Sequence, residues 1–175
     1  FNIGVRSLTD IFKNFDKRDF ERPGRSNALS SNAMLASSHP IASSVGIEIL
    51  KSGGNAVDAA IAMNAVLCIA EPHMTGVGGD CFVMLSVDGS TNIKALNGSG
   101  KSSSNAKASA LRKNKLSVIT SEMPDAITIP GAVAAWSLLH KEHGFMPWKE
   151  LFSPAINFAN QGIKIHERVA LDWSK

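Results

Sequence analysis

The stretch 53–82 constrains the fold more than any other part of the sequence, because it joins a glycine pair, a nearly all-apolar segment, a proline stop and a glycine-rich loop. In residues 56–70 only Asp58 and Asn64 are strongly polar. A helix that is apolar on every side is expected to be buried on every side. The sequence therefore predicts a central buried helix that stops before Glu71, since the residue preceding a proline is pushed out of the helical region.

The flanks of this helix carry further signals. Asn55 occupies the N-cap position after the two glycines, and Asp58 stands three residues later in a loose variant of the capping box. Asp58 and Asn64 need hydrogen-bond partners if they are buried, so we expect a structural role for both. Residues 75–80 are too rich in glycine for a helix or a strand. The apolar run 81–87 is typical of a strand that is covered on both faces.

A hairpin and several helices are predicted from the remaining patterns. A second strand at residues 91–96 is joined to the first through the dipeptide Asp88-Gly89, and residues 97–100 are expected to break it. One helix is expected to begin with Ser38 as its cap and to end at the glycine pair 53–54. Further helices are predicted at residues 104–113, 131–143, 147–161 and 166–173. This mixture favours an α+β arrangement.

The later helices also carry predicted inward faces. In the helix 131–143, one side is expected to carry Val133, Trp136, Leu139 and His140. In the next helix, the core face is expected to consist of Leu151, Phe152, Ala155, Ile156 and Ala159. All three tryptophans are interpreted as core residues.

The composition is that of an ordinary globular domain: 175 residues, 44% hydrophobic and 19% charged, with a net charge of +3. Scattered positive charge gives little support to nucleic-acid binding, and no apolar run approaches the ~20 residues of a membrane span. Cys68 and Cys81 lie in apolar runs, which favours two buried free thiols and, slightly, a cytoplasmic over a periplasmic location. Because Phe1 is not an initiator methionine, the sequence leaves open whether the protein has a targeting segment, and the localisation stays unknown.

Several long motifs follow one another along the chain. They are LASSHPIASSVGIEILKSGG, GGNAVDAA, EPHMTGVGGDCF, IPGAVAAW and MPWKELFSPAI. In this order they closely resemble the amino-terminal region of the γ-glutamyltranspeptidase family, whose members are N-terminal-nucleophile hydrolases. The resemblance covers residues 32–175, and residues 1–31 match weakly.

The resemblance implies a fold and a partner. The chain would be the first half of a four-layer αββα sandwich, with the β-hairpin between helical layers. Residues 1–31 would form an amino-terminal arm, and residues 32–175 a segment of the large subunit. The small subunit, cut from the same precursor, would be its partner, and no cofactor is expected.

The family's nucleophile is a threonine that self-cleavage exposes as a new amino terminus, so that its own amine acts as the base. It is expected in a Thr-Thr-His motif. None of the chain's five threonines stands in such a context, so no catalytic residue is expected within these residues. The resemblance implies the large-subunit part of an amide hydrolase or acyltransferase for a small amide or γ-glutamyl-type substrate. A non-catalytic member with a structural or binding role is the alternative.

Residues 95–104, ALNGSGKSSS, depart from the pattern of the γ-glutamyl-transferring members. Those carry an Arg-Glu pair at this strand end, and the arginine binds the α-carboxylate of the γ-glutamyl group. Alignment from Ala95 places Ser99 at the arginine and Gly100 at the glutamate, with Lys101 as the nearest cation. Ser99 and Lys101 are therefore the predicted substrate-binding residues. The loop is more similar to that of oxamate amidohydrolase and the cephalosporin acylases.

Three other features allow either a functional or a structural interpretation. The glycine loop 76–79 fails the GxGxxG phosphate pattern, which favours a tight backbone passage over a phosphate site or a wall of the substrate cleft. His73 and Asp80 border this loop, either as backbone hydrogen-bond partners or as an acid and a base. His140 and His143 share a helix face but lack a third ligand, so no metal site is expected.

Overall fold

The computed structural model describes residues 27–114 and 117–174. Residues 27–34 contain no helix or strand and belong to a separate unit from Leu35–Lys175, which forms one compact body. The elements of this body are α1 (Pro40–Lys51), α2 (Ala56–Ala70), β1 (Cys81–Leu85), β2 (Lys94–Gly98), α3 (Ala108–Lys113), a 3₁₀ turn (Pro124–Ala126), α4 (Ala132–His143), α5 (Trp148–Gln161) and α6 (Glu167–Trp173). The α+β class predicted from the sequence is confirmed.

Helix α1 is capped by a different residue from the predicted one. The Nδ1 atom of His39 accepts a hydrogen bond from the Ile41 amide at 3.2 Å, and Pro40 occupies the first turn. The Ser38 hydroxyl instead donates to the Glu71 carboxylate, with Oγ and Oε2 2.5 Å apart. The cap prediction for Ser38 was wrong because this nearly buried carboxylate takes its hydroxyl.

The boundaries and cap of α2 are confirmed. The Asn55 side chain accepts from the amides of Val57 and Asp58, and the Asp58 carboxylate accepts from the Asn55 amide at 3.0 Å. The two bonds together form the complete capping box. The helix therefore begins directly after Asn55, and it ends before Glu71.

The prediction that α2 is buried on every side was wrong for the part of the chain that the structure describes. Ile61, Ala62 and Val66 are at most 1% exposed. Ala60 is exposed, however, and Asn64 is only half-buried. The Asn64 side-chain amide nitrogen donates to the Ala60 carbonyl one turn earlier, at 2.9 Å, so this donor has a partner within the helix.

The core is built around α2, which packs against α1, α4 and α5. Helices α1 and α2 are in close contact at Gly46, where a Cβ would overlap the side chain of Met63. From α4 and α5 the core receives Trp136, 3% exposed, and Leu151, fully buried. Such close packing explains why apolar residues dominate these positions.

The strands form a two-stranded antiparallel sheet in which Cys81 lies opposite Gly98 and Leu85 opposite Lys94. The predicted strand 91–96 is therefore displaced towards the carboxyl end, and residues 97 and 98 do not break it. Asp88 and Gly89 do form the turn, with φ of 52° and 70°. They lie within a connection of residues 86–93 that is longer than the tight hairpin their sequence indicates.

One face of the hairpin is open among the described residues. Along β1 the side chains alternate between half-buried and exposed, and Phe82 and Met84 are 67% and 80% exposed. The alternate residues Cys81, Val83 and Leu85 pack against the core. The strand is therefore covered on one side here, where the sequence predicted cover on both.

Several predicted inward positions of the later helices were wrong. Val133, Ile156 and Trp173 are 43%, 54% and 59% exposed, and Ala159 is exposed as well. Among the described residues, these helices bury narrower stripes than their apolar residues suggest, since only part of each helix surface is covered there. The helix predicted at residues 104–113 is shorter in the structure, where it corresponds to α3. No helix in the described ranges has the length and hydropathy required to span a membrane.

Candidate functional site

The predicted substrate-binding residues Ser99 and Lys101 lie directly after β2, in a segment that we call the substrate loop (residues 98–101). The Ser99 amide donates to the Asn97 side chain, two residues earlier, at 3.0 Å. Ser99 is half-buried and Lys101 is exposed. Both line a hollow of about 530 Å³ between the end of β2 and the start of α4.

The hollow has small residues around its loop and apolar walls. Gly98, Gly100 and Gly131 border it together with aliphatic side chains that include Leu96, Ile129 and Leu138. Among the described residues that line it, Lys101 is the one charged side chain. A single ammonium beside apolar surface suits an acyl group that carries one negative charge.

The glycine loop 76–79 lies against the amino terminus of α4. The Gly79 carbonyl accepts from the amides of Gly131 and Ala132, at 3.0 and 3.1 Å. Those amides are donors that a helix start would otherwise offer to an anion. The arrangement favours the structural interpretation of the loop as a backbone passage over a phosphate site.

A second hollow, of about 420 Å³, lies beside the glycine loop and is lined in part by Thr75, Asp80, Cys81 and Asn64. Burial, together with the negative charge of Asp80, raises the pKa of the Cys81 thiol. A raised pKa keeps the sulfur protonated at neutral pH, which is the opposite of what a nucleophilic cysteine requires. Cys68 and Cys81 are both free and half-buried.

The histidines of the predicted alternatives make other contacts. His73 Nε2 lies 3.7 Å from the Asp172 carboxylate, and Asp80 is outside that pair. His140 Nε2 lies 2.8 Å from the Met146 carbonyl, which ties α4 to the start of α5. In residues 27–114 and 117–174, no group of three or more His, Cys, Asp or Glu side chains is placed to hold a metal ion.

Asp58 has the structural role that was predicted for it. Besides capping its own helix, its carboxylate accepts from the amides of Phe145 and Met146 at 3.1 Å. The Asn55 side chain donates to the His143 carbonyl at 2.7 Å. The capping box of α2 thus also holds the connection between α4 and α5.

The family model for γ-glutamyltranspeptidase matches residues 42–175. The chain belongs to the γ-glutamyltranspeptidase family. Among similar curated proteins, the glutathione hydrolase-like YwrD proenzyme of Bacillus subtilis is 36% identical over 139 residues, which are 79% of this chain and 26% of that protein. The chain therefore spans about a quarter of the length of this relative.

Solved structures contain the same arrangement of elements over part of their length. The γ-glutamyltranspeptidase of Helicobacter pylori matches with a TM-score of 0.76 and 29% identity, over 84% of this chain and 43% of that one. A cephalosporin acylase from Bacillus halodurans matches with a TM-score of 0.72 and 31% identity, over 87% of this chain and 30% of that one. The family recognised from the motifs is thereby confirmed.

One part of the site was not found from the sequence. Residues 128–131 contact the substrate loop, although about 30 positions separate the two segments. The motif IPGAVAAW begins at Ile129, but nothing in it indicates a contact with the substrate loop. The sequence signal for that contact is that both segments contain glycine, at 98, 100 and 131. That signal is weak, since glycine also marks ordinary turns.

Proposed function

We propose that this chain is the large-subunit part of an amide hydrolase or acyltransferase that matures by self-cleavage and uses a threonine nucleophile outside these 175 residues. The family match supports the reaction class. The name proenzyme, carried by the Bacillus subtilis relative, supports the maturation step. The lack of a Thr-Thr-His motif supports a nucleophile elsewhere. The alternative of a non-catalytic member gains no support from these relatives, whose names are those of enzymes.

In this proposal the open face of the hairpin is an inner surface of a four-layer sandwich. Phe82 and Met84 would pack against the small subunit, which the same precursor supplies. Burying these two side chains would stabilise the association by about 25 cal/mol for each Å² of apolar surface removed from water. Their exposure here supports the proposal, because large apolar side chains side by side on one strand face commonly mark an interface.

The observation that carries the substrate proposal is the make-up of the hollow beside Ser99 and Lys101. A γ-glutamyl donor brings an α-carboxylate that needs a fixed cation once it leaves water. Serine offers a neutral hydrogen bond worth about 0.5–1.5 kcal/mol, where a charged partner gives about 1.5–3 kcal/mol. Lys101 supplies charge, but a flexible ammonium lacks the fork of a guanidinium. A γ-glutamyl donor also brings an α-ammonium, and no acidic side chain among the described residues that line the hollow would pair with it. Small acidic amides, which carry one carboxylate and no ammonium, are therefore the better substrates.

This proposal is tested by comparing two substrates in the complete precursor after maturation. We expect kcat/KM for a γ-glutamyl anilide to be at least about tenfold below that for a monoamide of a short dicarboxylic acid, a difference of about 1.4 kcal/mol. Ser99→Arg should narrow this gap. Ser102→Arg is the matched control, because it adds the same charge at an exposed position outside the residues that line the hollow.

Two outcomes would contradict the proposal. Robust γ-glutamyl transfer by the unaltered protein would mean that another residue holds the carboxylate. Amide turnover by residues 1–175 alone would show that the nucleophile lies within this chain after all.

A further inference from the structure

Residues 128–131, which we call the clasp, run beside the substrate loop and bond to it twice. The Thr128 hydroxyl donates to the Ser99 carbonyl, with an oxygen–oxygen distance of 3.1 Å. The Ile129 amide donates to the Lys101 carbonyl at 2.9 Å. The two carbonyls that are held belong to the two predicted substrate-binding residues.

The two segments also touch backbone to backbone. Gly100 has a φ of 76°, and a Cβ at this position would overlap the Ile129 carbonyl oxygen. A Cβ on Gly131 would likewise overlap the Gly98 carbonyl oxygen. No side chain fits between the segments at either point, so the course of the substrate loop depends on the clasp as well as on its own sequence.

On the far side, the clasp is anchored to the core. Gly131 immediately precedes α4, whose residues Ala132, Ala135 and Trp136 are at most 4% exposed. The Gly131 amide is held by the Gly79 carbonyl at 3.0 Å. The position of the exposed substrate loop therefore depends, through the clasp, on the position of the buried helix α4.

We propose that Thr128 is a positioning residue for substrate binding: its hydroxyl fixes the Ser99 carbonyl and thereby sets where Ser99 and Lys101 meet the acyl group. This inference rests on the proposed function, because it takes the hollow to be the acyl site. Of the two bonds of the clasp, the one from Thr128 is made by a side chain, so a substitution can remove it without altering the backbone. Gly100 has the complementary role of allowing the contact.

The test is Thr128→Val in the complete, matured protein, since valine keeps the shape of threonine and loses the donor. We expect KM for the dicarboxylic monoamide to rise about threefold to tenfold, the worth of one hydrogen bond, with kcat changed less than twofold. Thr128→Ser should restore KM. The matched control is Thr120→Val, which removes an exposed threonine hydroxyl that bonds to Glu122 instead of to the substrate loop.

The remaining outcomes also decide the inference. An unchanged KM in Thr128→Val would overturn it. A fall in kcat as large as the rise in KM, accompanied by a lower unfolding temperature, would also overturn it, because it would indicate a merely structural role. If the unaltered protein hydrolyses no amide, the proposed function fails, and calorimetric binding of glutarate decides about Thr128. Weaker glutarate binding by the valine variant supports the positioning role, whereas equal binding, or none by either protein, overturns it.

Discussion

The helical core and the hairpin contain the same kind of apolar residue but differ in what covers it. In the helical core, formed by α1, α2, α4 and α5, the side chains of Ile61, Val66 and Leu151 are at most 1% exposed. On the open face of the hairpin, Phe82 and Met84 are mostly exposed. An apolar sequence thus predicts that a residue is buried in the complete protein, but it does not indicate whether the residues that bury it belong to the same chain.

The two regions also differ in how polar groups link their segments. In the helical core, the buried Asp58 carboxylate accepts hydrogen bonds from three backbone amides, one at the start of α2 and two in the connection between α4 and α5. At the hairpin, the links between the substrate loop and the clasp lie near the surface. Buried hydrogen bonds are costly to break, because the group left behind is unpaired. We therefore expect the helical core to respond to substitution through stability, and the loop through binding.

The largest effect is expected inside the helical core, at Ala62, which is fully buried. Ala62→Asp places an unpaired charge in the interior and should lower the free energy of unfolding by several kcal/mol, so that the precursor fails to mature. The measurement is the yield of cleaved subunits, with thermal unfolding of any soluble precursor.

Ala60→Asp is the matched control, because Ala60 lies on the open face of the same helix. It should cost less than about 1 kcal/mol if that face meets solvent. Equal losses at the two positions would remove the distinction between the faces and show that α2 is enclosed in the mature protein.

Much of the helical core was predictable because independent local signals agree there. At α2 the apolar run, the Asn55 cap and the stop before Glu71 give the same boundaries. At β2 the turn dipeptide located the turn but not the register, since pairing begins only at Lys94, beyond a longer connection. Which helix residues face outwards depends on neighbours that a single segment does not specify. The exposed Ile156 is an example.

The contact between the clasp and the substrate loop was not predictable for a related reason. Ser99 and Lys101 were identified by likeness to a family motif, and their role in binding stays a prediction. Thr128 belongs to no motif of its own, and its partner is a backbone carbonyl, which every residue has. Only the folded arrangement of β2 against α4 brings the two together.

A smaller effect is expected from the open face of the hairpin. Met84→Lys should leave residues 1–175 at least as soluble as before, because the side chain is already 80% exposed and free strand edges favour self-association. In the complete precursor the same change should cost about 1.5–3 kcal/mol, the worth of a buried methionine. Soluble yield of the short chain and thermal unfolding of the precursor measure the two effects.

Met34→Lys is the control for this experiment, because Met34 is 63% exposed and lies in the other unit. We expect no loss in the precursor from this change. If Met84→Lys is equally harmless there, the hairpin face meets solvent in the whole protein and the proposed sandwich is wrong.

The smallest effect concerns pH, and it should appear in the helical core rather than in the hairpin. His39 is 2% exposed and caps α1 through its unprotonated Nδ1, and the ring of His166 lies 5.2 Å away. Burial first, and then the nearby His166, lowers the pKa of His39, while the charge of Glu71 acts in the opposite direction. The folded chain thus binds fewer protons here than the unfolded chain. The stability that this group contributes is complete above the ordinary histidine pKa of about 6.5 and falls as the pH drops below it towards the lowered value.

The measurement is urea unfolding of the mature protein at pH 7.5 and at pH 5. Between these two pH values, the free energy of unfolding should fall less in His39→Asn than in the unaltered protein, since asparagine caps a helix without titrating. His143→Asn, which removes a histidine that caps no helix, should retain the full pH dependence. The same loss in all three proteins would show that groups other than His39 cause the pH dependence.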